Sequence, residues 1–193
     1  MFILADENAP VRPYGSAHKW WLHHSLKELS DAFDKLGSRL VLRRGDALAV
    51  LEDILSKSGA TALYFNRRYG PEAVSVDGTL KARFEDVDVE CFEAALLHDP
   101  DQVKTGSGGF YKVYTPFMKT VSAGLDDYRH PIDPPSSLAA PEHFPRSESL
   151  DTWKLLPTAP NWAKGFEPEW TPGETRAQAV SYTHLTLPTI YSV

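Results

Sequence analysis

The first half of the chain alternates short apolar runs with stretches whose apolar residues recur every three or four positions. Phe2–Leu4 is a short apolar run, and Pro10, Pro13 and Gly15 then mark a loop. From Ser16, residues Trp21, Leu22, Leu26, Leu29, Phe33 and Leu36 fall mostly at helical spacing. This predicts a helix with Ser16 as N-cap and Gly37 just past its end. Arg39–Arg43 (RLVLR) reads as a strand. Asp46 caps a second helix whose apolar face is Leu48, Leu51, Ile54 and Leu55, and Gly59 ends it. Ala62–Phe65 (ALYF) is strand-like. Pro71 and Glu72 open a third helix to about Phe84, weakened by Val74, Val76 and Gly78. Val87–Phe92 alternates and reads as a further strand.

This β-α-β-α-β-α-β order predicts the α/β class: a parallel, Rossmann-like, doubly wound sheet with helices on both faces, followed by an extended linker. Ligands of such sheets gather at the carboxyl ends of the strands. The character changes after about Leu97. One short helix, Thr115–Ala123, follows strand-like Phe110–Tyr114, with Thr105–Gly109 (TGSGG) as a hairpin tip. Ten of the fifteen prolines lie beyond residue 130. The stretch Pro131–Trp170 is too long for a simple loop in a compact domain. Its Trp153, Leu155, Leu156, Trp162, Phe166 and Trp170 are too apolar for a free tail, so they are expected to cover a second domain outside this chain.

Charge narrows the function. The formal net charge is −6, whereas a nucleic-acid-binding surface carries a basic excess. Any DNA contact is therefore expected elsewhere. No run of about eighteen apolar residues is present, so no membrane span is expected. The N-terminus has no signal-peptide pattern, and the single cysteine, Cys91, excludes an internal disulfide. These point to a reducing cytoplasm.

Four segments stand together in order and spacing: Trp20–Asp46 (WWLHHSLKELSDAFDKLGSRLVLRRGD), Ala62–Asp77 (ALYFNRRYGPEAVSVD), Val103–Phe117 (VKTGSGGFYKVYTPF) and Asp151–Glu174 (DTWKLLPTAPNWAKGFEPEWTPGE). Their combination resembles the DNA photolyase and cryptochrome family, bacterial cyclobutane-dimer photolyases especially, over residues 1 to about 179. The resemblance implies an N-terminal α/β domain carrying an antenna chromophore, then a linker, then a helical domain that holds FAD and contacts damaged DNA. It implies a carbon–carbon lyase in which light-excited reduced flavin donates an electron to the pyrimidine dimer. The implied organisation is residues 1–125 as antenna domain, 126–179 as linker and start of the FAD domain, and 180–193 as a non-native tail. The family's opening VWFRxDLRL-type strand, central in its sheet, has no counterpart here. Residues 180–189 (VSYTHLTLPT) resemble a translated sequencing adapter rather than protein. The full-length protein is expected to be a monomer that meets no membrane. A cryptochrome-type blue-light photoreceptor and a stand-alone nucleotide- or flavin-binding module are the alternatives.

The arginine-rich FAD segments of the family are absent, so no catalytic residue is assigned to this chain. Asn66, Arg67 and Tyr69 follow a strand and are the candidate lining of the antenna pocket; the competing reading is a structural loop whose arginines pair with carboxylates. Gly70-Pro71-Glu72-Ala73 does not reproduce the carboxylate of folate-binding relatives, which counts against folate and leaves a deazaflavin, a second flavin or no pigment open. The glycine-rich Thr105–Gly109 lacks the phosphate-cradle pattern. His18, His23 and His24 are not spaced three or four apart as paired metal ligands on a helix are, so no metal is expected. Only one of the adjacent Trp20 and Trp21 can point fully into the core; Trp21 fits the apolar stripe, while Trp20 either flanks the antenna cleft or, the favoured reading, packs in the core or a seam. Cys91 reads as a buried structural cysteine.

Overall fold

The computed structural model describes residues 1–4, 13–96, 98–124 and 132–186. The loop around Pro10 and the tail residues 187–193 lie outside them. The described chain is mixed α/β: β1 (Phe2–Leu4), α1 (Ser16–Lys35), β2 (Leu42–Arg44), α2 (Ala47–Ser58), β3 (Ala62–Asn66), α3 (Pro71–Arg83), β4 (Asp88–Phe92), α4 (Tyr114–Ala123), 3₁₀ turns at Leu150–Trp153 and Trp162–Gly165, and α5 (Glu174–Thr186). Two packing units form, Met1–Gly59 with the stretch from Pro135 onward, and Ala60–Pro134.

The expected alternation and parallel pairing are present, but not one continuous sheet. β1 pairs with β2, and β3 with β4, both parallel, and no ladder among the described residues joins the two pairs. The reason is backbone supply: a strand bonds along two edges, and no described strand lies on the outer edge of β1 or β3.

In the first unit, α1 starts at Ser16 with Gly15 in the N-cap position, so Ser16 does not cap. It ends as the sequence predicts. Gly37 takes φ 81°, its N–H donates to Asp34 O (3.1 Å), and the Ser38 N–H donates to Phe33 O (3.0 Å). These two bonds form a Schellman closure that needs a left-handed residue at Gly37. In α2, Asp46 accepts from the Ala49 N–H (2.9 Å), and Gly59 closes the helix at φ 64°.

Two expectations about packing change. Trp20 is packed at 2% exposed, whereas Trp21, expected in the buried stripe, is 40% exposed, and Leu29 is also exposed. The buried face of α1 is Trp20, His23 and Leu26, because Phe166 packs edge-on to Trp20 at 5.7 Å. Trp21 instead meets Trp170 at 5.9 Å. Secondly, the connecting segment finds cover within this chain. Trp153 and Leu155 are buried with Leu26, Leu40 and Leu42, flanked by Phe2, Leu4, Leu22 and Phe33. Leu156, Trp162, Phe166 and Trp170 stay partly exposed, Trp170 the most.

The segment does more than fill a core. The Leu42 N–H donates to Ser147 Oγ (2.9 Å), the Glu148 N–H donates to Leu42 O (2.8 Å), and the Arg44 N–H donates to Glu148 Oε1 (3.0 Å). Glu148 Oε2 accepts from Trp153 Nε1–H (2.8 Å). Two side-chain oxygens and one amide thus stand in for a third strand along the outer edge of β2. Arg39 ties down the approach, donating to Pro145 O (2.8 Å) and lying over the Phe144 ring.

In the second unit, β3 and β4 run in register from Ala62↔Asp88 to Asn66↔Phe92. Phe110–Val113 forms no strand. Thr105–Gly109 closes on itself instead, its Thr105 Oγ1 accepting from the Gly109 N–H (3.0 Å), and the chain passes directly into α4. Cys91 is exposed rather than buried. Val89 shares its strand face and is buried, so the covering layer stops one strand step short of Cys91.

Candidate functional site

The candidate residues sit where the β3–β4 ladder ends. Both strands are parallel, so Asn66 and Phe92 bring their carboxyl ends together, and the Arg67 N–H donates to Phe92 O (2.9 Å) as one last rung. That rung aims the Arg67 side chain at the loop after β4. Its guanidinium donates from Nη1 to Glu93 Oε1 and Asp99 Oδ1, both at 2.9 Å, and from Nη2 to Asp101 Oδ2 at 2.6 Å. Asp99 is itself fixed by a turn around Pro100, its Oδ1 accepting from the Asp101 N–H (2.9 Å). Arg67 therefore gathers three carboxylates from two places in the loop.

Tyr69 completes the cluster. Its hydroxyl donates to Glu93 Oε2, and its ring lies 5.3 Å from the Arg67 guanidinium carbon. Asn66 is exposed beside them. Arg68 turns away to pair with Asp77 on α3.

The electrostatics follow from the pairing. The hydrogen bond to Glu93 pushes the Tyr69 phenol up to about 12, with burial and the Glu93 charge adding to it. Bonds to Asp101 and then Glu93 hold Arg67 above its ordinary range. The bond from Arg67 holds the Asp101 carboxyl below the usual carboxylate range. A carboxyl depressed in the fold contributes stability above its unfolded value near 3.9 and loses it as pH falls through the folded value. Arg67→Gln should therefore raise the Asp101 pKa toward the ordinary value in a carbon-detected NMR titration. It should also speed amide exchange across 93–101. An unchanged Asp101 would show that the ion pairs are not formed in solution.

The arginines pair with carboxylates, as the structural reading of this loop expected. The sequence did not reveal which ones: Glu93, Asp99 and Asp101 lie 26 to 34 residues away. Of the histidines, His23 is buried and His24 sits beside Trp20. No cluster of metal-ligating side chains occurs among the described residues. No described helix is long and apolar enough to cross a membrane.

Comparison with known proteins adds the decisive observation. The DNA photolyase family matches residues 1–137. The chain belongs to the DNA photolyase family. Among curated family members it is 50% identical over 167 residues to the deoxyribodipyrimidine photo-lyase of Agrobacterium fabrum, covering 86% of this chain and 35% of that relative. Cryptochrome-1 of Arabidopsis thaliana is 27% identical over 179 residues, 86% of this chain and 26% of the cryptochrome. The crystal structure of a bacterial class III photolyase from Agrobacterium tumefaciens superposes with a TM-score of 0.84 at 45% identity, covering 94% of this chain and 37% of that one. The chain thus spans about a third of the length of the photolyase it matches.

Proposed function

We propose that this chain is the antenna-carrying N-terminal part of a deoxyribodipyrimidine photo-lyase, a carbon–carbon lyase that repairs cyclobutane pyrimidine dimers in light. The observation that carries this is the 50% identity to the Agrobacterium fabrum enzyme across most of the chain. Residues 1–125 serve as the antenna domain, with the doubly wound sheet as its complete form. Residues 126–179 lead toward a helical domain that holds FAD and damaged DNA, and 180–193 are not native. The net charge of −6 agrees with a DNA contact outside this part. The whole protein works as a cytoplasmic monomer. When bound, reduced FAD supplies the electron that opens the dimer; the residues described here take no part in that step.

Asn66, Arg67 and Tyr69 line the antenna pocket in this reading. Their place at the carboxyl ends of two parallel strands supports it. Arg67, fixed by three carboxylates, lies over the Tyr69 ring, and the two together offer a flat platform for a conjugated heterocycle. The carboxylate surplus repels an anionic tail, so the neutral ring system of a folate, deazaflavin or flavin faces the platform. The full-length protein should co-purify with a near-ultraviolet chromophore other than FAD, and Arg67→Gln or Tyr69→Leu should lower its occupancy severalfold. Full occupancy in both variants would move the pocket elsewhere. The lower identity to cryptochrome-1 leaves a photoreceptor as the second reading, which a repair assay separates.

A further inference from the structure

We propose that the connecting segment is a proton-released strap: protonation of His23 lifts the Leu150–Trp153 turn from α1 and uncovers the outer edge of β2. His23 lies mid-way along α1, is 8% exposed, and its Nδ1 has no hydrogen-bond partner. An imidazolium carries two N–H donors and a charge, and this position offers Nδ1–H nothing to bond.

The surrounding charges reinforce the cost. The His24 ring is 5.3 Å away and Lys27 is one turn along the same helix. Among the described residues, Asp151, on the 3₁₀ turn packed against α1, is the one facing group that favours the charged ring. Burial acts most strongly, followed by His24, and the net effect holds the His23 pKa below its ordinary value. For a base depressed in the fold, the contribution to stability is complete above the unfolded value of about 6.5 and is lost as pH falls below it, down to the folded value.

What acid loosens is specific. The residues just before the turn, Ser147 and Glu148, hold the Leu42 and Arg44 amides of β2, and Trp153 at its end is in the core. Lifting the turn would therefore free the strand edge, and an uncovered edge is a template for pairing with other chains.

Amide exchange on the full-length protein tests this. Between pH 7 and pH 5.5, protection of the Leu42 and Arg44 amides, corrected for intrinsic exchange, should fall several-fold, approaching about tenfold per pH unit below about 6.5 and levelling off at the folded His23 value. α4 amides should not change. In His23→Gln the fall should vanish, while His24→Gln should keep it. Protection that is flat or rises in acid, as a winning Asp151 attraction would give, overturns the proposal. So does a fall that persists in His23→Gln. Should that variant not fold, the His23 ring is titrated by NMR in the wild type. A midpoint at or above 6.5, or one unrelated to the exchange profile, overturns it equally.

Discussion

Replacing Trp153 with alanine should cost about 3–5 kcal/mol of unfolding free energy, the usual loss for a buried aromatic in a packed core. The indole is 5% exposed and fills the space between Leu26 of α1 and Leu40 and Leu42 at β2, with the Phe2 ring 6.2 Å away. Leu26, Leu42 and Phe2 cannot collapse into the gap without leaving α1, β2 or β1, so the cavity persists. Trp162→Ala is the matched control: that ring is 39% exposed, and its loss should cost about 1 kcal/mol or less. Urea unfolding of both variants checks the pair. Equal losses would mean that the connecting segment does not pack on α1 in solution.

The second large effect is expected at Glu148. Its two oxygens accept from the Arg44 backbone N–H and from the Trp153 indole N–H, both partly buried. Glu148→Ala strands both donors, at about 1–3 kcal/mol each. Glu148→Gln keeps one acceptor and should cost roughly half as much. The alanine changes at 148 and 153 should not add, because removing the indole already removes one stranded donor; a coupling of about 0.5–3 kcal/mol is the range for such contacts. Strict additivity would contradict the shared hydrogen bond.

What the sequence disclosed, and what it withheld, follows from the range of each interaction. Asp46, Gly37 and Gly59 act within one turn of chain, so the limits of α2 and the end of α1 were readable from residue type alone. The pairing of apolar runs into parallel strands was readable as a pattern. The buried face of α1 was not. Trp20 and Trp21 are adjacent and equally apolar, and the choice between them is made by Phe166, far along the chain. The same holds at the candidate site. The Asn66-Arg67-Arg68-Tyr69 loop drew notice through its place after a strand, but its partners Asp99 and Asp101 sit in a turn with no periodicity. A Pro-flanked pair of aspartates was the only signal that could have found them. Trp153 and Leu155 looked too apolar for a tail, and they are. Their partners are α1 and β2 of this chain rather than the second domain that their apolarity led one to expect.

The most direct test of the photolyase reading is dimer repair by the full-length protein that contains this sequence. Purified with reduced FAD, it should remove cyclobutane pyrimidine dimers from irradiated DNA under blue light and not in the dark. Blue-light flavin chemistry with the dimers left intact would contradict the reading and favour a photoreceptor.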